Sequence, residues 1–120
     1  MGDSLRGLLV ALLAVGLSAC GDTCGNDVER SVANPAGTLK AVLFERDCGA
    51  TTAMSQQVSV LASGAQISNE GGNTFVVETD SGVTLRWLGN KMLEVRYPHG
   101  ARTFAMAKSV GDVQIRYIAD

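Results

Sequence analysis

The part of the chain after residue 26 is expected to fold as an all-β domain, a small antiparallel sandwich or barrel of about seven strands. Three observations predict it. Short runs that alternate apolar and polar residues recur at spacings of roughly 8–12 residues, the rhythm of a sandwich or barrel. Glycine is frequent, at 14 residues, and proline rare, at 2, among many β-branched side chains. After the first twenty residues no apolar stripe at helical spacing is long enough to make a useful helix.

The elements follow in order. Residues 27–33, DVERSVA, read as a short strand. NPAG at 34–37 has Asn, Pro and Gly at the first, second and fourth positions, the preferences of a type I turn. Residues 38–47 read as a strand with Leu39, Ala41 and Leu43 on one face and Val42 and Phe44 on the other. Apolar residues on both faces predict a central strand covered on each side. GATTAMS is a loop, and QQVSVLA the next strand, with Val58 and Val60 inward. SGAQISNEGGN is rich in Gly, Ser and Asn and reads as an exposed loop. TFVVET places Phe75 and Val77 on one face, and Asp80-Ser81-Gly82 makes a turn.

The clearest hairpin is GVTLRWLGNKMLEVRYP. A two-residue Gly89-Asn90 turn would set Leu85 opposite Glu94 and place a charge on the apolar face. A register shifted by one residue instead sets Trp87 against Leu93, Leu85 against Val95 and Val83 against Tyr97. Arg86 then meets Glu94 as a favourable cross-strand pair. A one-residue slip inverts every side chain, so the pattern selects this register and a Gly89-Asn90-Lys91 connection. ARTFAMAK and GDVQIRYI supply the last two strands.

The 120-residue chain fits one domain, and its formal net charge is -2. With no Lys/Arg cluster it lacks the basic patch of a nucleic-acid binder, so no nucleic-acid partner is expected. No cofactor is implied either. Two thiols and one histidine, His99, make no zinc pattern, and no metal site is predicted.

The first residues read differently. MGDSLRG carries Arg6, partly offset by Asp3, and Leu8 to Leu17 is an unbroken apolar run, LLVALLAVGL. Small residues follow up to Cys20, which is the three-part layout of a secretory signal. The run is too short to span a bilayer, which takes about 20 residues. Leu17-Ser18-Ala19-Cys20 resembles the bacterial lipobox. That resemblance implies cleavage before Cys20 and acylation of its thiol. Two or three acyl chains hold where one gives only marginal anchoring, each buried CH₂ contributing about 0.8 kcal/mol. The division expected is therefore 1–19 lipoprotein signal peptide, 20–26 lipidated cysteine and short tether, and 27–120 a single β domain. The lipoprotein sorting pattern of enteric bacteria places Asp directly after the cysteine for inner-membrane retention. Here Gly21 stands there and Asp22 one later, so the bacterial outer membrane is expected over the inner.

With Cys20 acylated, Cys24 and Cys48 remain in an oxidising compartment, where a disulfide is the default. It would close a loop of about 25 residues and stabilise the domain by ~3 kcal/mol. The alternative is Cys48 as a nucleophile or redox thiol, its pKa lowered by Arg46 and Thr51.

Residues 34–61, NPAGTLKAVLFERDCGATTAMSQQVSVL, resemble a stretch of small bacterial lipoproteins of unknown function that carry an FERDCGATT-like motif. Glu45, Arg46, Asp47, Cys48, Gly49, Ala50, Thr51 and Thr52 form the centre of the match, and LRWLGNKMLEVRYPHGARTF is also similar. The turn departs from the group's common SPDG by reading NPAG. The resemblance implies an envelope lipoprotein and brings no activity with it.

Glu45, Arg46, Asp47, Thr51 and Thr52 are the candidate partner surface, a polar cluster where a strand leaves its sheet. The structural reading beside it is a disulfide corner in which Gly49 turns the chain and Asp and Thr cap backbone amides. His99 reads as an exposed turn residue, and Gly71-Gly72-Asn73 as a loop with no helix to make a phosphate cradle. The function expected is a non-enzymatic binding or structural module, joined to its membrane by acyl chains on Cys20 and facing an envelope protein. By analogy of size, disulfide and location, a periplasmic inhibitor of a lysozyme-like or other envelope hydrolase is the alternative. A hydrolase using Glu45 and Asp47 as acid and base comes third.

Overall fold

The structure is a computed structural model that describes residues 24–49 and 53–120. The signal region, Cys20, the tether Gly21–Thr23, Thr51 and Thr52 lie outside the described residues. The described chain is all-β. Its strands are β1 (Gly25–Ala33), β2 (Leu39–Asp47), β3 (Ser55–Ala62), β4 (Phe75–Glu78), β5 (Thr84–Gly89), β6 (Met92–Tyr97), β7 (Arg102–Met106), β8 (Ser109–Val110) and β9 (Val113–Ala119). They form a five-stranded sheet in the order β1-β2-β3-β4-β7 and a four-stranded sheet in the order β5-β6-β9-β8. The two sheets close on one core, as in a sandwich. The expectation of about seven strands is exceeded because the last segments break into β7, the two-residue β8 and β9. β1 begins at Gly25, two residues earlier than the alternation indicates.

Period-two alternation places the core. Ala41, Leu43, Val58, Val60, Phe75 and Val77 come from the larger sheet; Val83, Leu85, Leu93, Val95 and Val113 come from the smaller sheet and the approach to it. Full burial of each such Val, Leu or Phe contributes roughly 1.5–3 kcal/mol. Phe75 sits between the rings of Tyr97 and Tyr117, with centroids 5.1 and 5.3 Å away. Trp87 Nε1 donates to Val32 O at 2.8 Å and ties the β5–β6 hairpin to β1.

Val42 and Phe44, on the other face of β2, are also buried. Their cover is the 63–73 segment, which the sequence reads as an exposed loop. It lies across the outer face of the larger sheet and brings Ile67 to a cleft shared with Phe44 and Leu61. Polar side chains fasten it. Asn26 Nδ2 donates to Ser68 O and Glu70 O, and Asn69 Nδ2 donates to Cys24 O. The Gly72 amide donates to Gln57 Oε1. Composition identifies this segment as irregular; the two-faced burial of β2 is what requires it to be packed.

The hairpin has the register that the apolar pattern selects: Leu85 opposite Val95, Arg86 opposite Glu94 and Trp87 opposite Leu93. It differs at its tip. A bulge at Leu88 lets Gly89 pair with Met92, so the connection is Asn90-Lys91 rather than three residues. The bulge turns Leu88 out to solvent and keeps Trp87 in register. β9 pairs with β6 in parallel, Leu93 with Ile115 and Val95 with Tyr117, so the sheets are not wholly antiparallel. The physical reason is the path between them. The chain returns through β7 in the opposite sheet and therefore enters β9 in the direction of β6.

At one end of the sandwich the NPAG turn is locked to the hairpin tip. Asn34 O accepts from the Gly37 amide, and Asn34 Oδ1 accepts from the Thr38 and Leu39 amides. Asn34 Nδ2 donates to Asn90 O, and the Ala36 amide donates to Asn90 Oδ1. Gly37 has φ +72°, a conformation that L side chains rarely adopt. The disulfide corner lies at the opposite end.

Candidate functional site at the disulfide corner

β2 carries Glu45, Arg46 and Asp47 to the end of the larger sheet, where Cys48 is bonded to Cys24 across a sequence separation of 24. β1 pairs with β2 from Gly25–Asp47 inward, so the bridge closes the first two strands at their open end. Cys48 is therefore not a free thiol, and the nucleophile reading is excluded for it.

The three charged residues diverge. Asp47 Oδ1 accepts the Gly49 amide at 2.9 Å, and Gly49 takes φ +113°. This is an Asx turn, the capping role of the structural reading. Arg46 points to the outer face and donates through Nη1 to Asn26 Oδ1 at 2.7 Å. Its partner is an amide that in turn holds Ser68 and Glu70, so Arg46 orients the fastening of the covering segment. Glu45 is on the core side of the sheet, at the end that the smaller sheet leaves uncovered. It is the cross-strand partner of Asp27 and of Gln56.

Around Glu45 the charge is of one sign. Glu29 stands at the bulge between Val28 and Arg30 and shares a hydrogen bond with Glu45, and Asp27 and Asp80 add negative charge. Desolvation first, then the Glu29 hydrogen bond and the repulsion of these acids, hold the Glu45 carboxyl above its ordinary value of 4.5. Gln56 completes the array: its Nε2 donates to Glu29 Oε2 at 2.7 Å and its Oε1 accepts the Val83 amide at 3.0 Å. A line of hydrogen bonds thus runs from the second sheet through Gln56 and Glu29 to Glu45.

The structure brings together Cys24 and Cys48, Arg46 and Asn26, and Glu45 and Glu29. It does not bring Glu45 and Asp47 to a common point, because Asp47 is engaged with the Gly49 amide. Sequence reasoning missed Asn26, Glu29 and Gln56. One signal was present: Gln56 and Gln57 are adjacent amides at the head of the strand that carries Val58 and Val60, and both are buried, which requires specific partners. Among the described residues no group of three or more His, Cys, Asp or Glu side chains could hold a metal ion. His99 is exposed, and its amide donates to Asp120 O.

Two further clefts lie on the larger sheet. One of about 240 Å³ includes Val28, Lys40, Val42 and Ile67 beside the covering segment. The other, of about 360 Å³, includes Ala53, Val76, Glu78, Arg102 and Phe104 on the β4–β7 side. Comparisons with protein-family models, curated proteins and solved structures find no match.

Proposed function

We propose that the chain is an envelope lipoprotein, held by acyl chains on Cys20 and exported by a signal peptide at 1–19. Its β domain is a non-enzymatic binding or structural module for an envelope component. The observation that carries this reading is the Cys24–Cys48 bond. It commits two of the three cysteines and leaves Cys20, the cysteine in the lipobox-like Leu-Ser-Ala-Cys, as the odd one. The geometry around Glu45 supports a non-enzymatic role: its carboxyl neighbours are other acids on an open sheet end, and Asp47 is used as a turn cap. Outer-membrane delivery goes with Gly21 rather than Asp after the cysteine.

Mass spectrometry of the mature chain tests the anchor, with an acylated N-terminal Cys20 expected. An unmodified N-terminus upstream of residue 20 would overturn it. Crosslinking in intact envelopes followed by recovery of the chain tests the module, and one stoichiometric partner is expected. An envelope hydrolase recovered and inhibited would specify the partner as the inhibitor reading has it. Turnover of an envelope substrate, lost in Glu45→Gln or Asp47→Asn, would replace the binding module with a hydrolase.

A further inference from the structure

We propose that the outer face of the β4–β7 side, centred on Phe104 and Arg102, rests on the same lipid surface that holds Cys20; this orientation rests on the lipid-anchor reading above. The first argument is the length of the tether. Gly21, Asp22 and Thr23 alone separate Cys20 from the bridged Cys24, and four steps of about 3.5 Å reach no further than ~14 Å. The end of the sandwich that carries the disulfide is therefore kept at the bilayer.

The strand registers say what else lies at that end. Asn26 pairs with Arg46, Arg46 with Ser55, Gln56 with Val77, and Glu78 with Arg102. One edge row thus runs from the disulfide to Arg102. Four strand spacings of about 4.8 Å put β7 ~19 Å from β1, so a modest tilt about the tether brings β7 to the surface.

The chemistry there fits a lipid interface. Phe104 is 57 % exposed, the most open large apolar side chain of the described residues. The Arg102 guanidinium lies 5.0 Å from its ring centroid. With Val76 and Ala53 they line the 360 Å³ cleft. An aromatic ring enters the boundary of headgroups and acyl chains, while an adjacent guanidinium meets phosphate and lets its stem lie along apolar surface. The β1–β3 half of the same face is covered by the 63–73 segment, so the bare half is the one that can approach.

Charge sets which side turns down. Asp27, Glu29 and Glu45 belong to the core-side face of the sheet end, and Asp80 adds its charge to theirs. Anionic lipid would repel that side. On the outer face Arg46 and Arg102 stand in the edge row, with Glu78 as the cross-strand neighbour of Arg102. Laying the outer face down turns the acid array away from the membrane.

The test uses the full acylated chain on vesicles of phosphatidylethanolamine and phosphatidylglycerol. With Cys20 acylated and Cys24 bonded to Cys48, one added cysteine is uniquely reactive. Ala105→Cys places a fluorophore beside Phe104, and Ala36→Cys places it in the NPAG turn at the far end; both positions are exposed. Nitroxide lipids are expected to quench the probe at 105 several-fold more than the probe at 36. Phe104→Ser with Arg102→Glu is expected to lower the quenching at 105 several-fold while the chain still floats with the vesicles. A floating chain with equal quenching at both positions, or with the 105 probe dark only to soluble quenchers, overturns the orientation alone. A chain whose Cys20 is unacylated and which fails to float overturns the anchor reading first.

Discussion

The side-chain amide of Asn73 stands in for a strand opposite Val60. Asn73 Oδ1 accepts the Val60 amide at 2.8 Å and Nδ2 donates to the Val60 carbonyl at 2.9 Å. β4 reaches only as far as Val58 along β3, so beyond it the main chain of β3 needs another partner. Asn73 supplies both halves of one ladder rung. Thr74 Oγ1, also on Asn73 Oδ1 at 2.7 Å, keeps the amide oriented. Asn73→Ala leaves a donor and an acceptor of a buried residue unpaired, at a cost of about 1–3 kcal/mol. Asn73→Asp retains the acceptor but sets a carboxylate against the Val60 carbonyl, and it too should destabilise. Urea unfolding midpoints of the two variants check both.

Gly72 is where the covering segment comes closest to the sheet. A Cβ there would stand 2.6 Å from the Val58 carbonyl oxygen and 3.1 Å from its amide nitrogen. Both are main-chain atoms of a central strand and cannot yield. Gly72→Ala therefore pushes the segment off the sheet and strains the Gln57–Gly72 bond of 2.7 Å. Overpacking of this kind costs typically about 1–3 kcal/mol. The expected result is a lower thermal midpoint together with faster hydrogen exchange at Val60, whose amide is held by the adjoining Asn73.

The Cys24–Cys48 bond closes a loop over β1, its turn and β2. The chain-entropy relation gives about 3 kcal/mol for a loop of this length. Cys24→Ser with Cys48→Ser should lower unfolding stability by that order without altering the hairpin register, which is set by the apolar pattern of β5 and β6. Denaturant titration of the oxidised and double-variant chains measures the difference. Reduction of the native chain should reproduce the loss, while Cys20→Ser should leave it unchanged.

Local pattern made much of this legible. The hairpin register could be read because only one alignment keeps Leu85, Trp87, Leu93 and Val95 on one face and Glu94 on the other. The disulfide could be read because a lipobox-like cysteine leaves two thiols. What was not legible is non-local. The parallel pairing of β6 with β9 depends on a crossing through the other sheet, and no residue in either strand encodes it. The bulge at Leu88 adds a ladder pair at the tip without disturbing the alternation below it. At the candidate site Glu45 and Asp47, two residues apart in β2, share one face of the strand, as their spacing dictates. The sequence could not show that Asp47 turns to the Gly49 amide while Glu45 meets a bulge residue of β1.

Tyr117 closes the seam between the sheets. Its hydroxyl lies 2.7 Å from Ala107 O and 3.1 Å from Thr74 O, one proton serving both carbonyls. Burial first, and then Tyr97, push its pKa up from 10.0 to about 12. The unfolded chain ionises this phenol first, so between pH 10 and about 12 stability falls as pH rises. Tyr117→Phe should remove that part of the alkaline loss and cost about 1 kcal/mol at neutral pH. Absorbance titration of the phenolates, native against urea-unfolded, separates Tyr117 from the ordinary tyrosine range.

Glu45 gives the corresponding prediction in acid, with a sign opposite to the usual carboxylate. A salt-bridged acid has a lowered pKa and loses stability as pH falls. Glu45 is raised, by desolvation first and then by Glu29, Asp27 and Asp80. The folded chain therefore holds its proton more tightly than the unfolded chain does. From the ordinary value of 4.5 upward, stability contributed by this group declines with rising pH and is regained as pH falls back through that window. Glu45→Gln keeps a donor for Glu29 at every pH and removes one negative charge from the array. The variant should be more stable than the native chain at neutral pH and should match it in mild acid, where Glu45 is already protonated. Thermal midpoints of both proteins across this range check it. A native chain that gains no stability relative to Glu45→Gln on acidification would exclude the shared proton between Glu45 and Glu29. Glu29→Gln should act in the same direction on Glu45, but its amide oxygen accepts Gln56 Nε2 in a neutral hydrogen bond where the carboxylate made a charge-assisted one. Its gain from relieved repulsion is offset by that weaker bond, and of the two variants Glu45→Gln should be the more stable.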